Sequence, residues 1–294
     1  MGVFVMTGGT SGLGAVAARR FVGDNVELFL AGRREIDLGT RIIPLDLTRL
    51  DDVRAFTVTI EHLLGSRTID ALVLNAGGHA HGRTREGYDA TFVLNHLAHY
   101  LLIRLLWTRM SDGGTVVLTT SGTHDPAERT VVPPPRHANA EWLARPELDP
   151  NQDRAPRAAA GRAYSSSKLC VVLTARALRA LAATEHRRIQ IIAYDPGPTP
   201  GTGLMRDQGA LLRFVWERLG TPLRLVMRKA NTIEAAGETL AALALGNIRP
   251  PNGHVYAALR RGLLTWPQLS ELARRDDLMT ALWRDSAHLV ALPR

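Results

Sequence analysis

The segment Val3-Phe4-Val5-Met6-Thr7-Gly8-Gly9-Thr10-Ser11-Gly12-Leu13-Gly14 decides the fold. Val3 to Met6 is a short apolar run with the length of a buried strand. Thr7 to Gly14 is a glycine-rich turn, and residues 13–22 read as a helix. A glycine-rich loop between a strand and a helix has a specific physical use. Gly8 permits the tight turn, Gly12 keeps side chains away from a pyrophosphate, and Gly14 lets the helix pack closely on the sheet. The helix N-terminus, with Thr10, Ser11 and Leu13 in its approach, then faces the phosphates with unpaired N–H groups. The loop predicts a dinucleotide site.

Outward from this loop, short apolar strands alternate with helices. Further strands are expected at residues 26–31, 41–45, 70–74, 114–120 and 189–194, and a seventh at 253–258. Helices are expected at 50–64, 88–110, 163–185, 211–219 and 233–245, with one or two more within 269–289. This rhythm predicts an α/β chain with a parallel sheet and helices on both faces, in one domain spanning 1–294. Two segments break it. Only residues 32–41 separate the second and third strands, too few for an ordinary crossover helix. Residues 122–161 form a long insertion rich in Pro, Arg and Ala, in which only 141–144 looks helical. A loop this long is either functional or without fixed structure. Residues 198–230 read as a lobe on the substrate side.

The 294 residues suffice for one substantial core. The net charge of +8 comes mostly from scattered Arg. The basic stretches 154–162 and 224–229 match no nucleic-acid module, so nucleic acid is not an expected partner. No apolar run is long enough to span a bilayer, and no signal peptide is visible. The single cysteine, Cys170, excludes an intramolecular disulfide and is expected as a buried packing residue. A cytoplasmic location is the expectation.

The second strand ends in Ala31-Gly32-Arg33-Arg34. A carboxylate there would bond the ribose of NAD; an arginine instead pairs with a 2′-phosphate. NADP(H) is therefore the expected cofactor, with Arg33 favoured over Arg34. Asp46, followed by Leu47, closes the third strand and is placed to accept from an adenine amino group. Asn75-Ala76-Gly77 ends the fourth strand on the same side.

The chemistry sits in Tyr164-Ser165-Ser166-Ser167-Lys168. A phenol is a useful proton donor to a carbonyl when its pKa is lowered. A lysine one helical turn on, sharing its helix face, can lower it. The loop 7–14, Asn75-Ala76-Gly77, Asn95, Ser121, Tyr164 with Lys168, and Pro196-Gly197 stand in an order that resembles the short-chain dehydrogenase/reductase family. The resemblance covers most of the chain. It implies a three-layer Rossmann-like fold with a seven-stranded parallel sheet and a nicotinamide cofactor. It further implies that Tyr164 is the general acid in reduction and that Lys168 tunes it and holds the nicotinamide ribose. By the same resemblance Ser121 polarises the carbonyl, and Asn95 fixes a relay water through locally irregular backbone. Pro196 and Gly197 would shape the turn under the nicotinamide, and Thr199 or Thr202 would touch its carboxamide. Residues 195–204 and 164–170 look closest to the retinol dehydrogenase and light-dependent protochlorophyllide reductase branch.

The expected function is NADPH-dependent reduction of a ketone or aldehyde to an alcohol, reversible, on a small apolar carbonyl or alcohol substrate. Two alternatives stand beside it: reduction of an activated carbon–carbon double bond, and a non-enzymatic NADP(H)-binding sensor or scaffold. The insertion 122–161 leads from Ser121 towards Tyr164, which suits a substrate-recognition element. His79, His81, His96 and His99 lack the carboxylate or thiolate that usually completes a zinc site, so no metal is expected, and His79 or His81 borders the substrate instead. Leu212, Phe214, Trp216 and Leu219 form either an apolar wall or ordinary core. The helices 88–110 and 163–185 carry faces by which many members of the family dimerise, so both homodimer and monomer remain open.

Overall fold

The computed structural model describes residues 1–24, 26–32, 40–200 and 230–293. In chain order its elements are β1 (Val3–Thr7), α1 (Gly12–Gly23), β2 (Glu27–Gly32), β3 (Arg41–Pro44), α2 (Leu50–Leu64) and β4 (Ile69–Leu74). Then come α3 (residues 90–106), β5 (Met110–Thr119), α4 (Ala140–Ala144), α5 (Pro156–Thr184) and β6 (Gln190–Asp195). The chain continues with α6 (Ile233–Ala244), β7 (Tyr256–Arg260), β8 (Leu263–Thr265), α7 (Glu271–Arg274) and α8 (Asp276–Leu289). One sheet runs β3-β2-β1-β4-β5-β6-β7-β8. The order reverses between β1 and β4, the usual switch point of a doubly wound sheet.

Strand side chains alternate between two cores. Val3 and Val5 of β1, Leu72 and Leu74 of β4, Val116 and Leu118 of β5, and Ile191 of β6 join the core under α2, α3, α5 and α8. Phe4, Met6, Val73, Val117, Ile192 and Tyr194 join the core under α1 and α6. Each buried side chain of this size contributes roughly 1.5–3 kcal/mol, which explains why the central strands are apolar on both faces. On the second face, a Cβ on Gly237 would lie 2.5 Å from the Leu13 carbonyl oxygen, so the glycine sets how closely α6 approaches α1.

Seven strands are parallel, as expected, and β8 adds an eighth, antiparallel to β7. The turn between them is Arg261-Gly262, with φ of 56° and 76°. Two positive φ values in a two-residue hairpin are the primed-turn geometry, here hidden by an arginine in a glycine-like position. The seventh strand lies at Tyr256–Arg260 rather than 253–258. The fifth begins at Met110 rather than Gly114.

The insertion is largely folded onto the body. Helix α5 starts at Pro156, well before Ala163, because Pro at the first helical position is a start signal. Asp153 pairs with Arg136 (2.6 Å) and Arg162 (2.5 Å). Ser165 Oγ donates to the Pro133 carbonyl (2.6 Å), and the Asp89 N–H donates to the Ala144 carbonyl (2.7 Å). Segment 126–153 is thereby fixed to the turn of α5 that carries Tyr164.

The C-terminal helix α8 packs across α3 and α5. His96 Nε2 meets Ser286 Oγ (2.8 Å), and the Tyr100 hydroxyl donates to the Trp283 carbonyl (2.8 Å). Arg176 on α5 donates to the Ala273 carbonyl (2.9 Å). The two long helices named above for dimerisation thus each carry part of this chain's own C-terminal segment. No helix among the described residues is long and apolar enough to cross a membrane.

Burial first, and His99 second, pull His96 from 6.5 down to about 3. The unfolded chain takes up that proton below 6.5, whereas the folded chain refuses it until about 3. Stability is lost as pH falls through that window. Between about pH 7 and about pH 5, wild type should lose about 2 kcal/mol more unfolding free energy than His96→Asn. Urea denaturation curves at the two pH values measure this, and equal losses in both proteins would contradict it.

Candidate active site

The C-terminal ends of β1, β4, β5 and β6 meet at the switch point, and side-chain amides cross-link them. Asn75, just past β4, donates from Nδ2 to the Gly8 carbonyl (2.9 Å) and accepts at Oδ1 from Thr119 Oγ1 (3.0 Å). Thr7 Oγ1 accepts from the Ala76 N–H (3.2 Å) and meets His99 Nε2 (3.1 Å). Gly8 has φ of 70°, and a Cβ there would lie 2.5 Å from the Ala76 nitrogen. A Cβ on Gly14 would lie 2.0 Å from the Gly8 carbonyl oxygen. The loop thus needs glycine for close backbone approach. Ser11 precedes α1 in an extended conformation and makes no side-chain cap bond, so no Ser11 oxygen occupies the helix N-terminus. Thr10, Ser11, Gly12 and Leu13 stand where the pyrophosphate of a dinucleotide could be held, and the residues present fit that group.

The second cross-link is Asn95. Helix α3 contains a π-turn over Val93–Leu97, flanked by α-helix over Ala90–Phe92 and Ala98–Leu106. The wider turn is the irregular backbone expected at Asn95. Asn95 Oδ1 accepts from the Gly78 N–H (2.9 Å), and Nδ2 donates to the Gly78 carbonyl (2.9 Å) and to Ser167 Oγ (3.0 Å). Ser167 Oγ in turn donates to the Tyr164 carbonyl (2.7 Å). A Cβ on Gly77 would lie 2.8 Å from Asn95 Oδ1 and 3.0 Å from Lys168 Nζ, so residue 77 has to be glycine for both to sit there.

Helix α5 is locked to the end of β5 in both directions. Lys168 Nζ donates to the Thr119 carbonyl (3.0 Å), and Thr120 Oγ1 donates to the Lys168 carbonyl (2.8 Å). This brings Ser121, the next residue, to Tyr164, close enough for its hydroxyl to favour the phenolate. Ser121 Oγ also accepts from the Thr123 N–H (3.3 Å). Burial pushes the Tyr164 phenol up; the nearby Ser121 hydroxyl opposes this and Asp195 reinforces it. The sequence suggested that Lys168 sets the phenol's acidity, but burial is the larger influence here and keeps Tyr164 protonated. Lys168 itself is pulled down to about 8 by burial, against the pull of Asp195. The ammonium lies 5.7 Å from the centre of the Tyr164 ring.

His79 stacks on the Tyr164 ring, with centroids 4.7 Å apart and planes inclined by 25°. Its neighbours are pinned from α3: Gly78 by Asn95, and Ala80 through both N–H and carbonyl by Thr91 Oγ1 (3.1 and 2.8 Å). Of the two histidines offered as substrate neighbours, His79 touches the Tyr164 ring, whereas His81 is exposed. His96 and His99 lie in the core, engaged with Ser286 and Thr7. Cys170 is fully buried.

The remaining expected residues divide. Asp46 Oδ1 accepts from the backbone N–H (2.9 Å) and hydroxyl (2.8 Å) of Thr48. Leu47 buries its side chain in the core, which leaves only its backbone to face a ligand. Pro196 and Gly197 form the turn after β6. There Thr199 Oγ1 donates to the Gly197 carbonyl (3.1 Å), and Asn231 Nδ2 donates to the Pro196 carbonyl (2.8 Å). Arg33 and Arg34, Thr202, and the group Leu212, Phe214, Trp216 and Leu219 lie outside the described residues. Sequence reading missed Thr7, Thr91, Thr119, Thr120, Ser167, Asn231, Tyr256 and Arg260. Each acts through a partner distant in sequence, and only the strand-end placement of Thr7, Thr119 and Thr120 offered a local signal.

A sequence-family model described as short chain dehydrogenase matches residues 2–130. That span includes Asn95 and Ser121 and stops before Tyr164. DnrU of Streptomyces sp. (strain C5), named for daunorubicin C-13 ketoreduction, is 32% identical over 209 residues, which cover 66% of this chain and 64% of that one. The chain thus spans just under two thirds of that relative's length. Protochlorophyllide reductase A of Oryza sativa subsp. japonica is 26% identical over 326 residues, covering 99% of this chain and 81% of its own. Among solved structures, a protein from Mycobacterium paratuberculosis superposes with a TM-score of 0.69 at 24% identity, covering 99% of this chain and 94% of that one.

The buried Lys168 gives a test of this geometry. Its folded value of about 8 lies below the ordinary 10.5, so the unfolded chain binds more protons between them and stability rises with pH across that window. With no cofactor added, wild type should gain on the order of 2 kcal/mol relative to Lys168→Met between about pH 7 and about pH 10. Parallel stability profiles in chemical denaturation would show that Lys168 is not buried as described.

Proposed function

The chain belongs to the short-chain dehydrogenase/reductase superfamily, and from that premise we propose that it is an NADPH-dependent reductase of ketones or aldehydes, reversible as an alcohol dehydrogenase. The observation that carries this reading is the buried Tyr164 phenol beside Ser121, on a helix that Lys168 locks to the end of β5. A neutral acid beside a second hydroxyl suits a substrate oxygen that gains negative charge. When bound, the dihydronicotinamide supplies the hydride to the carbonyl carbon. Tyr164 gives its proton to the developing alkoxide. Ser121 orients the carbonyl oxygen towards the phenol. Lys168, held at the Thr119 carbonyl, places its positive charge near the phenolate that remains. Asn95 acts behind them by holding Gly78 and, through Ser167, the Tyr164 backbone.

The loop 8–14 and Asn75 to Gly77 hold the dinucleotide. Arg33, with Arg34 beside it, pairs with the 2′-phosphate and sets the preference for NADP(H). The substrate is an apolar carbonyl compound. The relative named for daunorubicin C-13 ketoreduction makes daunorubicin the first ketone to try, and His79 offers a substrate an aromatic ring beside Tyr164. The likeness to protochlorophyllide reductase agrees with the sequence likeness to that branch and extends over nearly the whole chain.

Tyr164→Phe should lower kcat by about 100- to 10,000-fold on any carbonyl that wild type reduces, with NADPH binding retained. NADPH oxidation and cofactor fluorescence titration measure the two quantities, and an active variant would remove Tyr164 from the mechanism. Arg33→Asp should weaken NADPH relative to NADH by about tenfold or more, since it replaces a charge-assisted pair with repulsion. An unchanged ratio of kcat/KM for the two cofactors would place 2′-phosphate recognition elsewhere.

A further inference from the structure

Behind Ser121 lies a buried polar cluster that the mechanism above does not use. Asp195, at the end of β6, is 2% exposed at its side chain. Its Oδ1 accepts from the Gly197 N–H (2.9 Å), and its Oδ2 accepts from the Tyr256 hydroxyl (3.0 Å) and from Arg260 Nη2 (2.6 Å). The same Nη2 reaches Glu128 Oε1 at 3.5 Å. Arg260 Nη1 donates to the Leu259 carbonyl (2.9 Å). His124 donates from Nδ1 to the Ser121 carbonyl (2.7 Å), and its ring meets Tyr256 edge-on at 5.1 Å.

These contacts converge on the residue after Ser121. A Cβ on Gly122 would lie 2.9 Å from Arg260 Nη2, 3.0 Å from Asp195 Oδ2 and 3.3 Å from Glu128 Cγ. A Cβ on Gly197, in the opposite loop, would lie 3.2 Å from Arg260 Nη1. One guanidinium thus wedges between two glycines, each in a loop that borders the reacting groups. One loop carries Ser121 and the other carries the Pro196-Gly197 turn. A surface ion pair would be worth little, but here the carboxylate is desolvated and uses both oxygens, so removing the arginine strands a buried charge.

We propose that Arg260 is a positioning residue for catalysis: by bridging Asp195 and Glu128 beneath Gly122, it sets the distance from the Ser121 hydroxyl to Tyr164. It touches neither substrate nor cofactor in this role. The consequence is specific. Arg260 acts through Ser121, so its loss matters only while Ser121 is present. A residue that merely held the fold together would act on every variant alike.

The test is a double-mutant cycle of Ser121→Ala and Arg260→Met, read as kcat and KM for a carbonyl that wild type reduces. It rests on the reductase reading, and the single variants separate the two ideas. Arg260→Met alone should lower kcat about tenfold to a hundredfold, a misplacement effect, with the NADPH KM changed less than about threefold. In the Ser121→Ala background it should change kcat by less than about twofold. Arg260→Lys, which keeps the charge on Asp195, should recover part of the loss. Equal effects of Arg260→Met in both backgrounds would overturn the proposal. A fully active Ser121→Ala would overturn it together with the assignment of Ser121, and that result is visible before the cycle is built. Should Arg260→Met fail to fold by thermal melt, Glu128→Gln, on the exposed side of the bridge, replaces it with the same two criteria.

Discussion

The site depends on the side-chain amide of Asn95. It makes three hydrogen bonds, two to Gly78 and one to Ser167, and so ties the loop after β4 to both long helices. A buried amide leaves little freedom, because each unmade bond costs the full desolvation of the group. The π-turn in α3 is what allows the amide to reach that far. Gly77 completes the constraint, because a Cβ there would collide with both Asn95 and Lys168. From this joint follow the places of Tyr164, of Lys168 and of His79 stacked on the phenol.

Burial and charge then divide the work. Desolvation is the largest influence on Tyr164 and raises its phenol, against the opposing effect of Ser121. The same desolvation brings Lys168 down to about 8. Asp195 opposes that fall, and it is itself fixed by Arg260, Tyr256 and the Gly197 N–H. The two loops that border the reacting hydroxyls are thus connected through a buried carboxylate.

The fold was legible in the sequence wherever the signal was local. The loop from Thr7 to Gly14 lies between its strand and its helix as read, and the seven parallel strands match the alternation of apolar runs with helices. Strand β8 was not legible, because three residues joined by Arg261-Gly262 carry too little pattern. The early start of α5 was masked by the Arg- and Ala-rich composition of 154–162, although Pro156 marked it. In the site, helix phase placed Lys168 one turn from Tyr164, whereas Ser121 and Asn95 were named only through the family resemblance, and the structure sets them beside that helix. The pairings of Asn95 with Gly78, Lys168 with Thr119, and Asp195 with Arg260 join residues far apart in the chain, and no spacing rule reports such contacts. Leu47 shows the converse: a position beside the expected adenine pocket whose side chain belongs to the core.

The most direct test of the central claim is to follow the label from NADPH deuterated at C4, prepared separately on each face, into the product of a carbonyl that the protein reduces. Mass spectrometry and proton NMR locate it. Transfer of one deuterium, from one face only, to the carbinol carbon is the predicted result. Deuterium on the carbon β to an intact carbonyl, as conjugate reduction of a double bond would place it, or a product without label from either face, would contradict hydride delivery to the carbonyl carbon beside Ser121 and Tyr164.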